Sequence, residues 1–323
     1  METKDFLPQV IEKINKFQLN NPNGVVVIRG ATATGKTGLS MLLSEFFPIE
    51  VISSDSRQIF KYMDIGTDKI SLTDRQKVLH YQIDFLDPSE TYTAAQWKKE
   101  TLRLVPEILG RNKIPFIVGG TGLYIDTIYK NFDMPQVPPD MDYREMLERK
   151  ELLEPGVLHN MLTQIDPNEG KKVHPKSLRH IIRALEIYHK TGKTKTDLAL
   201  QKDVNWPMLM IGLRREKEDT NYKIDKRIGE MIEIGLIEEV KMLLDKLYSP
   251  QLQSMSGIGY KEIVEYLQGK CELDQAVERL KINTHRYAKR QRTWFRRYIY
   301  EMNNQPKNNV TYSLFNLTDG TIY

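Results

Sequence analysis

The sequence predicts an α/β protein: a parallel sheet with helices on both faces, an inserted helical lobe and a helical C-terminal region. Three observations predict it. Val25–Arg29 (VVVIR) is a short β-branched run without alternation, as expected of a strand buried on both faces. The segment GATATGKT at Gly30–Thr37 follows it and fits G-x-x-x-x-G-K-[ST], a phosphate-binding loop that leads from a strand into a helix. The short apolar runs Glu50–Ser53 (EVIS) and Ile114–Val118 (IPFIV) then alternate with helical stretches. Strand, glycine-rich turn, helix, strand, helix, strand is the pattern of a doubly wound sheet of the P-loop NTPase type.

The elements follow in order. Lys4–Leu19 places Phe6, Leu7, Val10, Ile11, Ile14 and Phe17 at helical spacing, and Asn21-Pro22-Asn23-Gly24 ends that helix. Helices are expected over Thr37–Phe47 and Glu100–Leu109, and the third strand runs into Gly119-Gly120. After Tyr129 the texture changes. Met134–Pro139 contains Pro135, Pro138 and Pro139 and reads as a linker. From Asp142 to Leu200 helical patterns follow one another with no strand signal, which suggests an inserted lobe. Met208–Leu213 returns the chain to the sheet, and helices are expected over Asn221–Leu247, Tyr260–Leu267 and Leu273–Glu301. The division is a first part of the core at 1–133, the lobe at 134–204, the return to the core with basic C-terminal helices at 205–302, and a tail at 303–323. The polar stretch Asn303–Asn309 is expected to be disordered. No internal repeat is present.

Composition bounds the function classes. The chain has 323 residues, 40% hydrophobic and 28% charged, which suits a soluble protein with one large domain and an insertion or a second small domain. Its lone cysteine, Cys271, excludes an internal disulfide, and no Cys/His cluster has zinc-finger spacing. His174, His180 and His189 read as solvated or core histidines. No apolar run resembles a signal peptide or a membrane span, so a cytoplasmic protein without a membrane partner is expected. A net charge of +4 says little by itself; its distribution says more.

The loop chemistry needs these residue types. Gly30 and Gly35 let the backbone curl so that the N–H groups through Ala31, Thr32, Ala33 and Thr34 can meet phosphate oxygens. The helix N-terminus near Lys36 adds partial positive charge, Lys36 adds a mobile cation, and the Thr37 hydroxyl can ligate Mg²⁺. Asp55 sits just past the end of the second strand, on the side where open α/β sheets bind ligands. It could serve as a general base, hold Mg²⁺ through water, or cap the next helix. Asp64 and Asp68 are secondary candidates for these roles and read rather as turn residues. From Arg279 to Arg297 the chain carries Arg279, Lys281, Arg286, Lys289, Arg290, Arg292, Arg296 and Arg297 with no acid among them. Val277, Leu280, Thr284, Tyr287, Gln291, Trp294 and Tyr298 form one mostly apolar seam, leaving the cations for phosphate backbone. Lys171–Lys195, in the lobe, is a second basic stretch.

GATATGKT, ISSDSRQIFKYMDIGTDK, HYQIDFLDPSETYTAAQW, IVGGTGLY, RALEIY, RIGEMIEIGLIEEV, SGIGYKE and AKRQRTWFR together resemble the tRNA dimethylallyltransferase (tRNA isopentenyltransferase) family, over roughly Val25 to Tyr300 and in the family's order. Two mild departures stand in the loop, Ala31 for the common Pro and Thr34 for the common Ser. The resemblance implies transfer of a dimethylallyl group from dimethylallyl diphosphate to the exocyclic amine of the adenosine 3′-adjacent to the anticodon, with Mg²⁺. It implies Asp55 as base, and Lys36, Thr37 and Arg227 at the diphosphate. It implies tRNA contacts at Asp55, Ser56, Arg57, Gln58, Thr121, Arg144, Arg179, His180, Arg183, Gly257, Tyr260, Arg286, Lys289, Arg290 and Arg292. The expected partner is a tRNA anticodon stem-loop, gripped by a monomer from two basic surfaces. A small-molecule kinase, a prenyltransferase of free adenine nucleotides and a non-catalytic P-loop RNA-binding protein remain the rivals.

Overall fold

The computed structural model describes residues 2–134, 137–199, 202–304 and 306–322. Pro135 of the expected linker and Leu200 at the end of the expected lobe lie outside them. After a 3₁₀ turn at Thr3–Phe6, the chain runs α1 (Leu7–Asn20), β1 (Val25–Gly30), α2 (Lys36–Leu43), β2 (Ile49–Ser53), α3 (Leu72–Lys77), β3 (His80–Tyr81), α4 (Ala94–Gly110), β4 (Ile114–Gly119) and α5 (Gly122–Tyr129). The helices α6 (Met141–Leu153), α7 (Val157–Ile165), α8 (Pro167–Lys172), α9 (Leu178–Thr191) and α10 (Lys195–Leu198) come next. The chain ends with β5 (Met208–Arg214), α11 (Lys217–Glu233), α12 (Leu236–Asp245), α13 (Tyr260–Leu267), α14 (Leu273–Asn304) and β6 (Val310–Asn316).

All strand pairs are parallel, in the order β3-β2-β4-β1-β5-β6. Every residue of β1 and β2 is buried, which is why their sequences lack alternation. On one face Val26 and Ile28 pack with Val10, Ile14 and Phe17 of α1 and Leu39 and Leu43 of α2. Val25 and Val27, which point the other way, are equally buried, so both faces are covered. Because β4 inserts between β1 and β2, the carboxyl ends of these three strands lie side by side, where an open sheet binds its ligand.

The chain forms two compact units, Met1–Asp126 with Val204–Tyr323, and Thr127–Asp203. The second begins inside α5, ahead of the proline-rich segment. Its core is Leu147, Leu158, Leu162, Ile181, Ile182 and Leu185.

Two expectations need correction. The 303–323 region is not a plain tail: β6 pairs with β5 along seven residues, from Met208↔Val310 to Arg214↔Asn316, after a connection that runs through α11, α12, α13 and α14. The expected helix Asn221–Leu247 is two helices, because Gly235 at φ 108 takes a backbone that only glycine adopts easily. The sheet also holds the short β3, whose two residues carry no periodicity in the sequence.

Candidate active site

The site is a cavity of about 720 Å³ lined by the phosphate loop, by Asp55–Gln58, Thr67 and Asp68, by Gly119 and Gly120, and by side chains of α11 and α14. All of it lies in the sheet-containing unit. The loop keeps its curl through backbone conformation: Ala33 has φ 61 and Gly35 φ 81. A left-handed non-glycine residue is costly, and such strain gathers where a loop must hold a ligand. The Thr34 hydroxyl donates to the Ala31 carbonyl at 2.8 Å, so it closes the loop from inside rather than facing phosphate. Lys36 Nζ donates to the same carbonyl at 2.8 Å. Burial strips hydration from the Lys36 ammonium and lowers its pKa from 10.5 to about 8, with Asp55 and Asp68 opposing the shift and Arg227 adding to it. Thr37, in the first turn of α2, is exposed toward the cavity.

The loop is tied to its neighbours by a residue that the sequence placed on the apolar seam of α14. Gln291 Oε1 accepts the Thr32 N–H at 2.8 Å, and its Nε2 donates to the Gly120 carbonyl at 3.0 Å. A Cβ on Gly120 would come within 2.4 Å of Gln291 Nε2, so glycine is required for this bridge. The Thr32 amide is thereby committed, which leaves the later loop amides for a ligand.

Asp55 follows Ser54 at the end of β2, a position fixed by Trp97, whose Nε1 donates to the Ser53 carbonyl at 2.8 Å. Asp55 Oδ1 accepts the Arg57 N–H at 2.8 Å and the Gln58 N–H at 3.4 Å. One carboxylate oxygen therefore does cap the following turn, while the residue lines the cavity beside Lys36. Thr121 stands next to it, its Oγ1 accepting the Ser56 N–H at 3.0 Å. The Tyr287 phenol bonds to Thr121 near Asp55, and burial and the Asp55 charge keep it protonated. Gln58 holds the neighbouring turn through the Thr67 and Asp68 carbonyls at 3.2 and 3.0 Å, and Arg57 reaches the Gln253 carbonyl.

Arg227 reaches the loop from α11. Its Nη2 donates to Thr32 Oγ1 at 3.0 Å and its Nη1 pairs with Asp68 Oδ2 at 2.7 Å. Asp68, read from the sequence as a turn residue, is thus part of the site. Its pairing with Arg227 carries no local signal, because the partner lies 159 residues away.

Along α14, Arg279 pairs with Glu265, Lys281 with Glu278 and Arg297 with Asp126, each compensated by a carboxylate. Arg286, Lys289, Arg290 and Arg296 are exposed with no ion-pair partner among the described residues. Arg292 is half-buried, its Nη1 has no acceptor, and burial together with Arg296 lowers its pKa. The uncompensated charge falls on the face away from the seam, where Leu280, Thr284, Gln291 and Tyr298 are buried.

Some expected contacts are corrected. Tyr260 is 1% exposed, and its hydroxyl donates to Glu239 Oε1 at 2.6 Å, so it is a packing residue, closed to an external partner. Gly257 is buried beside Tyr260 and Arg57. In the helical unit, Arg144 and Arg183 both grip the fully buried Glu186, Arg144 by a two-pronged contact at 2.8 and 2.9 Å, and Arg183 also donates to the Val137 carbonyl. Both neutralise that carboxylate, whose pKa they help to lower to about 2 against its burial, while their side chains stay about a third exposed. Arg179 and His180 are exposed on α9.

The family described as IPP transferase matches residues 58–298. The tRNA dimethylallyltransferase of Thermotoga maritima is 43% identical over 274 residues, covering 85% of this chain and 90% of that protein. A crystal structure of the full-length tRNA isopentenylpyrophosphate transferase of Bacillus halodurans has a TM-score of 0.65 at 39% identity, over 93% of this chain and 91% of that one. A eukaryotic dimethylallyltransferase solved acting on tRNA has a TM-score of 0.75 at 31% identity, over 92% of this chain and 74% of that one. No helix among the described residues is long and apolar enough to cross a membrane. A parallel sheet with a P-loop-like turn, an acid at the end of β2 and relatives of this similarity along nearly the whole chain place this protein in the tRNA dimethylallyltransferase family, the IPP transferases.

Proposed function

We propose that this protein transfers a dimethylallyl group from dimethylallyl diphosphate to the exocyclic N6 of the adenosine 3′-adjacent to the anticodon in tRNA, releasing pyrophosphate. One observation carries the reading: in a chain of this family, one cavity joins a phosphate loop, Lys36 and Arg227 to Asp55 and Ser56 around the end of the sheet, with Thr121 accepting the Ser56 N–H beside it. The allylic C–O bond breaks and its electron pair leaves with pyrophosphate. Loop amides, Lys36 and Arg227 stabilise the charge that builds there. The N6 lone pair forms the new C–N bond, and Asp55 takes the proton that the amine loses. The target base must leave its stack to reach this depth, at a cost of about a few kcal/mol.

The donor set suits Mg²⁺ that arrives with the diphosphate. Thr37 and Asp55 both line the cavity, and among the described residues no group of three His, Cys, Asp or Glu forms a cage of protein ligands. Mg²⁺ commonly keeps several waters and takes one or two protein oxygens besides phosphate. When bound it would offset negative charge on the leaving group.

The kinase rival lacks support at β4, which runs into Gly119-Gly120-Thr121 where an acid would be needed for a second metal contact. The test is paired on one preparation. Mass spectrometry of an anticodon stem-loop RNA incubated with dimethylallyl diphosphate and Mg²⁺ is expected to show one added prenyl group, while label from ATP γ-phosphate is not transferred or released. Phosphoryl transfer without prenyl transfer would put the kinase reading in its place.

The exposed face of α14 gives a second expectation. Replacing Lys289, Arg290 and Arg292 with Ala should weaken tRNA binding and flatten its salt dependence by about one unit of slope per lost phosphate contact. Turnover on saturating RNA should change less. Binding titrations at several salt concentrations decide it, and an unchanged slope would make this face merely solvated.

A further inference from the structure

We propose that Asp68 is a positioning residue for Arg227, holding one edge of the guanidinium so that the other edge meets the leaving diphosphate. The inference rests on the prenyl-diphosphate reading of this site. Arg227 uses its two terminal nitrogens in two directions: Nη1 pairs with Asp68 Oδ2 at 2.7 Å, and Nη2 donates to Thr32 Oγ1 in the phosphate loop at 3.0 Å. A planar fork with several donors can keep one partner while it changes another. A diphosphate seated on the loop can therefore take the Nη2 edge while the Asp68 bond stays in place.

Asp68 is itself held with unusual care. It has φ 54, a conformation that Asp tolerates better than most residues. Its carbonyl accepts Gln58 Nε2 at 3.0 Å, and its N–H donates to the Ile65 carbonyl at 3.0 Å. Ahead of it, Glu239 Oε2 accepts the Asp64 and Ile65 N–H groups at 2.8 Å each, and Oε1 accepts Gly66 N–H at 3.1 Å. The Thr67 hydroxyl donates to the Met63 carbonyl at 2.7 Å. The turn satisfies its own backbone, so the carboxylate is not needed to build it.

Nor is the ion pair needed for stability. Arg227 is 24% exposed, but the Asp68 side chain is 58% exposed, and a pair whose carboxylate stands in water adds little to folding. What the pair does is fix a long side chain in advance. An arginine that must act as a bond breaks gains from being placed beforehand, because a small misplacement of a catalytic group is costly in rate. Water screens the exposed Asp68 charge, so its field disfavours the nearby diphosphate only weakly.

The experiment measures kcat and donor KM for prenyl transfer to saturating RNA in single and double variants. Asp68→Gly removes the side chain and accepts the positive φ, and Asp68→Ala is a second deletion read in the same way. Either is expected to lower kcat about tenfold with a smaller change in KM. Asp68→Asn keeps an acceptor for Nη1 and should restore most of the loss. In an Arg227→Ala background neither deletion should cost anything further, because the group it positions is gone. An equal loss in both backgrounds, or an unchanged or raised kcat in the single deletions, would overturn the proposal. Absence of prenyl transfer by the unaltered protein would instead overturn the functional reading beneath it.

Discussion

Asp55→Asn lowers turnover by roughly two to four orders of magnitude and leaves tRNA affinity nearly unchanged. The amide keeps the size of the carboxylate. Its oxygen can still accept the Arg57 N–H now bonded to Oδ1 at 2.8 Å, so the turn that presents Ser56 to Gln58 stays folded. What it loses is basicity. An exocyclic adenine amine is a poor nucleophile and must shed a proton as the C–N bond forms, so the loss falls on the chemical step. Single-turnover kinetics with bound tRNA isolates that step from product release. Near-normal turnover in this variant would remove Asp55 from the mechanism and leave it as the cap of its turn.

Lys36→Ala lowers kcat by roughly two to three orders of magnitude, the range found when a preorganised group that meets developing negative charge is removed. Burial makes this cation sensitive to pH. With its pKa lowered to about 8 in the free cleft, Lys36 carries its charge below pH 8 and loses it as pH rises through that value. Diphosphate stabilises the charged form and raises the pKa again. Affinity for pyrophosphate should therefore be flat with respect to this group below pH 8, and fall by up to about tenfold per pH unit above it. Between pH 8 and 10.5 the folded chain binds fewer protons at this site than the unfolded chain, so the same shift makes folding stability rise with pH there. Calorimetric titration with pyrophosphate at pH 7, 8 and 9 checks the binding effect against Lys36→Arg, which stays charged; the ligand's own titration cancels in the comparison. If Lys36→Ala binds and reacts with the donor normally, the loop serves some other ligand.

The parts of this protein legible in its sequence are those written in consecutive residues. A buried parallel strand needs an unbroken β-branched run, and Val25–Arg29 supplies it. A phosphate loop needs glycine at a left-handed position before a helix, and Gly35 at φ 81 ahead of α2 is that position. An acid-free run at helical spacing separates a packing seam from a charged face, and α14 keeps that separation. The sequence alone thus determined the sheet type, the loop, the place of Asp55 past β2 and the family resemblance.

Only the tertiary structure decided which of these side chains meet. Gln291 joins Thr32 across 259 residues, and Arg227 joins Asp68 across 159, because β4 slots between β1 and β2 while α11 and α14 return over their carboxyl ends. Packing in the sheet-containing unit also turned Tyr260 inward to Glu239, and packing inside the helical unit drew Arg144 onto the buried Glu186 across 42 residues. An ionisable or hydroxyl-bearing residue in a helix reads alike whether it faces water, substrate or a buried acid, since helical spacing fixes its face but not what lies opposite. That choice rests on the burial of a partner distant in sequence, where an unpaired polar group is costly enough to command a neighbour.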